Sequence, residues 1–175
     1  MRVVAGDDFT ALFRDFKRSA FRLEQRDEYH APDEPERIRK FLAGEGYDVE
    51  SRLAAPWWQM IHQATSEEGK IVRRVRVVTE PHGDYTRYAL AGAAVNIQGG
   101  EDIRYLPRQT AQTLRLPEHD YWLFDDQLVA WMHFDDRGAL IRTKLHRDEA
   151  TVIQHLEWQA TAWENSISYD AYLIR

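Results

Sequence analysis

Residues 71–107 read IVRRVRVVTEPHGDYTRYALAGAAVNIQGGEDIRYLP, and this stretch decides the fold. In residues 71–79 arginines alternate with β-branched residues, which is typical of a half-buried strand. Residues 84–98 carry a helical face, formed by Tyr85, Tyr88, Ala89, Gly92 and Val95. Gly99-Gly100 predicts the end of that helix, and Asp102 to Pro107 offers a second strand. The stretch therefore predicts a βαβ unit with two parallel strands.

Three further strands follow in the second half of the chain. Tyr121 to Phe124 and Leu128 to Phe134 flank the turn residues Asp125-Asp126-Gln127. A second aspartate-rich turn, residues 135–138, leads into Ala139 to Leu145. Short strands joined by tight turns predict an antiparallel meander. Aspartate suits these turns because its side chain bonds the nearby backbone, so we interpret both acidic pairs as turn residues.

Helices are predicted on both sides of these strands. Residues 7–24 read as a first helix with a stripe that should face the core, formed by Phe9, Leu12, Phe13, Phe16 and Ala20. A short second helix covers residues 36–43, and a last helix runs over residues 148–164. Its stripe, which should pack on the sheet, is Ile153, Leu156, Ala160 and Trp163. Between residues 47 and 79 the pattern favours strands, although the Trp57 block could also begin a helix after Pro56.

These elements predict an α+β fold over residues 1–175 as a single domain. One mixed β-sheet, made of the βαβ unit and the meander, is flanked by N-terminal and C-terminal helices. The composition fits this prediction, because 43% of residues are apolar and 30% are charged. Such a chain can bury enough surface to offset its ordering entropy.

Composition also excludes several classes of function. The chain has no cysteine, which excludes disulfides, thiolate metal sites and a cysteine nucleophile. No apolar stretch approaches the roughly 20 residues that cross a bilayer, so a cytoplasmic protein without membrane contact is predicted. The net charge of −6 argues against direct nucleic-acid binding, because it repels phosphate backbones.

No metal site or cofactor is predicted. The usual local signatures of nucleotide, metal and serine chemistry are absent. Seven histidines are scattered through the chain, and none forms a ligand pair at i, i+4 on one helix. His133 and His146 lie on strands that should pair, and a surface or cross-strand role is the interpretation we favour for both.

Tryptophans are the leading candidates for binding. Trp57 and Trp58 would point to opposite faces of an extended strand, so one of them should be exposed. Trp158 lies off the stripe of the last helix and is a second candidate for an exposed contact. Trp122 and Trp131 are assigned to packing within the sheet.

Three stretches together resemble a known family: residues 13–24, which end in SAFRLE, then RVRVV at 74–78 and DYWLFD at 120–125. The combination resembles an uncharacterised actinomycete family of this length, a domain of unknown function, and spans nearly the whole chain. Members are typically encoded beside XRE-type helix-turn-helix regulators. The resemblance implies a role in a regulatory or toxin–antitoxin-like pair, and it supplies no catalytic residues.

The order of elements also resembles one half of a phospholipase D-like domain. That superfamily carries His-x-Lys-x-x-x-x-Asp, and this chain has His119, Tyr121 and Asp126 at the corresponding spacing. Tyr121 stands where the lysine would neutralise the phosphoryl oxygens, so phosphodiesterase activity should be lost or crippled. Half-sized members of the superfamily pair with each other, which makes a homodimer conceivable here.

The sequence thus predicts a non-enzymatic regulatory or accessory protein that binds a protein partner, with a helix-turn-helix regulator as the candidate. Trp57, Trp58, Trp158 and Tyr121 are the candidate binding residues. The acidic chain would suit a partner with basic elements, because complementary charge steers such encounters. Two alternatives stay open: a phospholipase D-like phosphodiesterase, or a small-molecule sensor, with a pocket around His119 and Asp126.

Overall fold

The computed structural model describes residues 2–32 and 34–175. Within them the strands are β1 (Arg2–Val4), β2 (Ser19–Glu24), β3 (Ile71–Val78), β4 (Glu101–Pro107), β5 (Tyr121–Phe124), β6 (Leu128–Phe134), β7 (Leu140–His146) and β8 (Ile167–Ser168). The helices are α1 (Asp7–Asp15), α2 (Glu34–Lys40), α3 (Val49–Leu53), α4 (Pro56–His62), α5 (Asp84–Gln98), α6 (Arg108–Thr113), α7 (Glu149–Asn165) and α8 (Tyr169–Leu173). Two π-helical turns, Phe41–Glu45 and Gln63–Glu67, extend α2 and α4. None of the helices described is long and apolar enough to cross a membrane.

The strands form one mixed sheet in the order β1-β7-β6-β5-β2-β3-β4-β8. β3, α5 and β4 make the predicted βαβ unit, and β3 and β4 run parallel. β5, β6 and β7 make the predicted antiparallel meander. The predicted α+β class with a single mixed sheet is therefore confirmed.

The predicted first helix is wrong in its second half. α1 ends at Asp15, and Ser19–Glu24 forms β2, the central strand that joins the βαβ unit to the meander. The Asp125 carboxylate accepts hydrogen bonds from the backbone N–H groups of Lys17, Arg18 and Ser19 at 2.6–3.1 Å, which ends the helix and starts the strand. Both faces of β2 are covered, so it lacks the simple alternation of a half-buried strand.

The strand pattern predicted between residues 47 and 69 is also wrong. This segment forms α3, α4 and a π-helical turn, and α4 starts with Pro56 in its first turn. Proline suits that position because its missing N–H would have no helical partner there. The alternative reading of the Trp57 block, a helix after Pro56, is the correct one.

Helices cover the sheet on two faces. On the front face, Phe13 of α1 and Ile61 of α4 pack in one cluster with Ala20 and Trp122. α5 packs on the same face, against Ile103 and Tyr105 of β4. On the back face, α6 and α7 pack on another cluster, made of buried residues such as Phe21, Leu23, Val75 and Leu123. Each fully buried large apolar side chain contributes roughly 1.5–3 kcal/mol.

α7 is rotated relative to the predicted stripe. Its buried residues are Val152, His155 and Ala162, whereas Ile153 is 48% exposed. A count of apolar residues misplaces this face because a histidine lies at its centre. His155 can be buried because each of its ring nitrogens has a polar atom within hydrogen-bonding distance.

The front face also carries a buried charged network. Glu24 contacts Arg74 at 2.6 Å and Arg76 at 2.5 Å. Further ion pairs join Arg74 to Glu101 and Arg22 to Asp120, both at 2.6 Å. The network comprises the residues Arg22, Glu24, Arg74, Arg76, Glu101 and Asp120. Three guanidinium groups face three carboxylates, so the network is balanced in charge.

Candidate functional site

Three of the predicted site residues meet on the back face of the sheet. His119, Tyr121 and Trp158 lie together with Trp131 and His155, and we call these five residues the histidine–tryptophan cluster. The His119 ring stacks on Trp131 with centroids 3.9 Å apart. Trp158 meets His119 edge-on at 5.9 Å, and His155 at 4.9 Å.

The elements of the fold explain how the cluster forms. Tyr121 opens β5 and lies directly opposite Trp131 of β6. His119 precedes β5 by two residues, so its side chain lies on the same face as Tyr121. His155 and Trp158 are three residues apart on α7, and that spacing places them side by side on a helix. The cross-strand pair Tyr121 and Trp131 and the helical pair His155 and Trp158 therefore converge at one place on the back face.

The two histidines of the cluster contact each other. Their Nε2 atoms lie 3.1 Å apart, and His155 Nδ1 lies 2.7 Å from the carbonyl oxygen of Thr151. That carbonyl can only accept a hydrogen bond, so Nδ1 of His155 carries its proton. His155 Nε2 then accepts, and His119 Nε2–H donates. The hydrogen bond between the two histidines thus forms with both rings neutral.

The cluster is uncharged at neutral pH. Burial, together with the neighbouring His155, lowers the pKa of His119 to about 4. Burial also lowers the pKa of His155 and raises the pKa of Tyr121, whose hydroxyl donates to the His155 carbonyl oxygen at 3.2 Å. A general acid or base works best with a pKa near the working pH, so the shifted pKa values of His119 and Tyr121 match proton transfer at neutral pH poorly.

This pairing predicts that the protein loses stability in mild acid. The pKa of His119 is about 4 in the folded state against 6.5 for a free side chain, so the unfolded chain binds the proton first as pH falls. The contribution is fully present above pH 6.5 and is lost as pH falls towards 4. Urea midpoints measured across that range should decline, and less steeply in His119→Gln. His30→Gln, at an exposed position, should follow the wild type, and equal slopes for all three proteins would contradict the prediction.

Next to the cluster, part of the back face is open. α7 packs on β4 and β6, and exposed residues of β1 and β7, such as Val3 and Arg142, lie beyond it. We call the residues there the open strand face: Val3, His133, Arg142, Lys144 and His146. Val3 is 52% exposed, and Lys144 lies directly opposite both Val3 and Trp131. The His133 ring stacks on Trp131 at 5.5 Å, so the open strand face continues the cluster.

Trp57 and Trp58 lie on the other side of the sheet. Both belong to α4, so the argument from an extended strand does not apply, and both are partly buried. Trp57 packs edge-on against Phe13 at 4.7 Å. The Trp58 indole N–H donates to the carbonyl oxygen of Val95 at 2.8 Å. The two side chains thus tie α4 to α1 and α5.

Asp126 is not part of the cluster. It lies exposed in the turn after β5, whereas His119 precedes the other end of that strand. Its neighbour Asp125 binds backbone N–H groups, which hold the pKa of that carboxyl below its ordinary value although burial alone would raise it. The structure therefore does not bring His119 and Asp126 into one pocket. Across residues 2–32 and 34–175, no group of three or more histidine or acidic side chains is arranged to hold a metal ion.

Two members of the cluster escaped sequence reasoning. Trp131 was assigned to sheet packing, and His155 was counted among the scattered histidines. Two separate sequence signals point to them. Tyr121 and Trp131 pair across the predicted hairpin, and His155 lies between Val152 and Ala162 on one helical face. Only the contact between α7 and the sheet brings the two signals together.

Fold and site together define an α+β protein with one mixed sheet, whose back face carries an uncharged histidine–tryptophan cluster beside an open strand face. The chain belongs to the family described as a domain of unknown function (DUF6879), whose model matches residues 7–174. Membership of an uncharacterised domain family, as the three sequence motifs indicated, is thereby confirmed. No curated protein matches the chain.

Proposed function

We propose that this protein is a non-enzymatic regulatory or accessory protein that binds another protein through the open strand face. The observation that carries the proposal is the combination of aromatic and cationic side chains on an uncovered part of the sheet. Tryptophan and arginine are enriched where binding energy concentrates in protein interfaces. Trp131 of the histidine–tryptophan cluster borders this face, where it stacks on His133 and lies directly opposite Lys144.

Rigidity of the cluster supports this role. His119 is stacked on Trp131 and hydrogen-bonded to His155, so its ring is held in place. A surface that is ordered before it meets a partner loses little side-chain entropy on binding.

The charge of the open strand face determines which kind of partner segment it can bind. Arg142 and Lys144 are basic side chains, and burial together with these two neighbours lowers the pKa of His133. The open strand face is therefore positive, on a chain whose net charge is −6. An acidic segment of the partner complements it, and such complementarity favours docking in one orientation. The partner class, a helix-turn-helix regulator, comes from the family resemblance.

Reversing the two charges should weaken the complex. The double variant Arg142→Glu with Lys144→Glu is expected to bind a helix-turn-helix regulator from the same genome at least about tenfold more weakly, because both side chains would then repel an acidic segment. Isothermal titration calorimetry measures this affinity directly. Arg142 is exposed and Lys144 is partly exposed, so the fold should survive both substitutions.

Arg137→Glu is the matched control, because Arg137 is exposed in the turn between β6 and β7. It should bind as the wild type does. Equal affinities of wild type and double variant would remove the open strand face from the interface and favour docking of basic elements elsewhere on the acidic chain. A regulator that fails to bind the wild type would refute the partner class.

A further inference from the structure

A polar cleft lies where the parallel strands of the sheet end. β2, β3 and β4 run in the same direction, and residues immediately beyond β2 and β4, Gln25 and Arg108, line the cleft. Its volume is about 490 Å³, which lies within the range of small-molecule sites. Buried Ala111 and Leu116 form part of an apolar wall, and polar side chains complete it.

The topology of the sheet favours a ligand at this place. The chain proceeds from β2 to β3 to β4 in one direction and then returns to add β5 on the other side of β2. α5 connects β3 and β4 over the front face, whereas α6 packs on the back face. Crevices outside the carboxyl ends of parallel strands, at the point where strand order reverses, are where open α/β sheets bind ligands.

Arg108 is held rigidly at one side of the cleft. Its Nε donates to Thr79 Oγ1 at 2.8 Å, and its Nη2 donates to the Gln25 carbonyl oxygen at 2.9 Å. An ion pair with Asp27, at 3.1 Å, further orients the guanidinium. These contacts use Nε and Nη2 of the fixed guanidinium, which leaves Nη1 as its donor for a carboxylate or phosphate.

Arg115 has an unusual backbone conformation at the other side. It follows α6 with φ of 54°, in the left-handed region. The Leu116 N–H donates to the Ala111 carbonyl oxygen and the Arg115 N–H to that of Gln112. This is the helix-ending motif in which glycine is the preferred residue, because a side chain is strained there. Arginine at this position therefore lowers stability. A binding role for its guanidinium group in the cleft explains why the chain has arginine here.

We propose that the cleft binds a small organic anion, with Arg108 and Arg115 as the residues that recognise its carboxylate or phosphate group. Gln25 and Gln112 supply hydrogen bonds to the rest of the molecule, and Glu118 at the lining selects ligands that also carry a hydroxyl or amino donor. Arg108 is paired with Asp27, and Glu118 offsets the charge of Arg115, so recognition rests on directed hydrogen bonds from the two guanidinium groups and not on an excess of positive charge. The proposal is independent of partner binding, so it can be tested on the chain alone.

Replacing Arg115 by glycine separates binding from folding. Glycine relieves the left-handed strain, so Arg115→Gly should keep or raise Tm. The same variant should bind inorganic phosphate or malonate at least about tenfold more weakly than the wild type, because a charge-assisted hydrogen bond is lost. Calorimetric titration of each probe at low ionic strength, together with thermal unfolding, gives both readouts.

Three further variants sharpen the test. Arg115→Lys should retain part of the affinity, and Glu118→Gln should bind the probes more tightly because a like charge is removed. Arg137→Ala, at an exposed turn, should bind as the wild type does. The probe that binds more tightly identifies the head group as phosphate or carboxylate. If neither probe binds at millimolar concentration, or if Arg115→Gly binds as tightly as the wild type, the proposal is overturned.

Discussion

Replacing Glu24 by glutamine should destabilise the folded protein by about 3–5 kcal/mol, the cost of removing one partner from a buried ion pair. Glu24 is 5% exposed and contacts both Arg74 and Arg76. Although burial raises the pKa of this carboxyl, Arg74, Arg76 and Arg22 hold it well below its ordinary value. Glutamine would leave these guanidinium groups buried with one carboxylate too few.

Urea unfolding followed by tryptophan fluorescence measures this loss. Glu36→Gln is the matched control, since it removes the same charge from an exposed pair with Arg39. The control should leave the free energy of unfolding nearly unchanged, because exposed ion pairs contribute little. Similar losses in both variants would mean that water reaches the charged network and that burial does not set its energy.

Phe13→Ala should also cost about 3–5 kcal/mol, through lost burial and the cavity that remains. Phe13 is 2% exposed and joins α1 to the sheet and to α4. Its ring lies 4.7 Å from Trp57, 4.8 Å from Trp122 and 5.1 Å from Phe124, in edge-on contacts that add to simple burial. No flexible side chain borders the ring on these sides, so collapse into the cavity should be incomplete.

Leu173→Ala serves as the control, because Leu173 is 53% exposed near the end of the chain. It should alter the free energy of unfolding by no more than about 0.5 kcal/mol. Equilibrium unfolding in urea compares the two variants under one condition. A Phe13→Ala loss as small as that of Leu173→Ala would show that α1 is not anchored through Phe13.

Local patterns were sufficient for most elements. The βαβ unit, the meander and α7 each lie in one continuous stretch, so hydrophobic spacing and turn residues predict them. β2 was missed because its pattern includes Arg22 and Glu24, which look like surface residues. Glu24 is buried against Arg74, 50 positions further along the chain, and Arg22 against Asp120, which lies just before β5. A single segment carries no sign of such partners.

The candidate site shows the same division more sharply. His119 and Trp158 could be selected from the sequence, yet for reasons unrelated to the contact between them. His119 and His155 meet only because β5 lies under α7, and Trp131 meets His119 because β6 pairs with β5. Trp57 and Trp58 were expected as surface anchors, and a helix turns them into contacts between α4 and its neighbours.

By itself the sequence determined the α+β class, the βαβ unit, the meander and the membership of an uncharacterised family, because each is encoded in residues close together along the chain. Only the tertiary structure decided that β2 is the central strand, that Arg22 and Arg74 are buried, and that a hydrogen bond joins the Nε2 atoms of two histidines beside Trp131. These features depend on groups distant in sequence that satisfy each other's charge and hydrogen bonds. Such compensation is a property of the packed sheet and is invisible in any one of its strands.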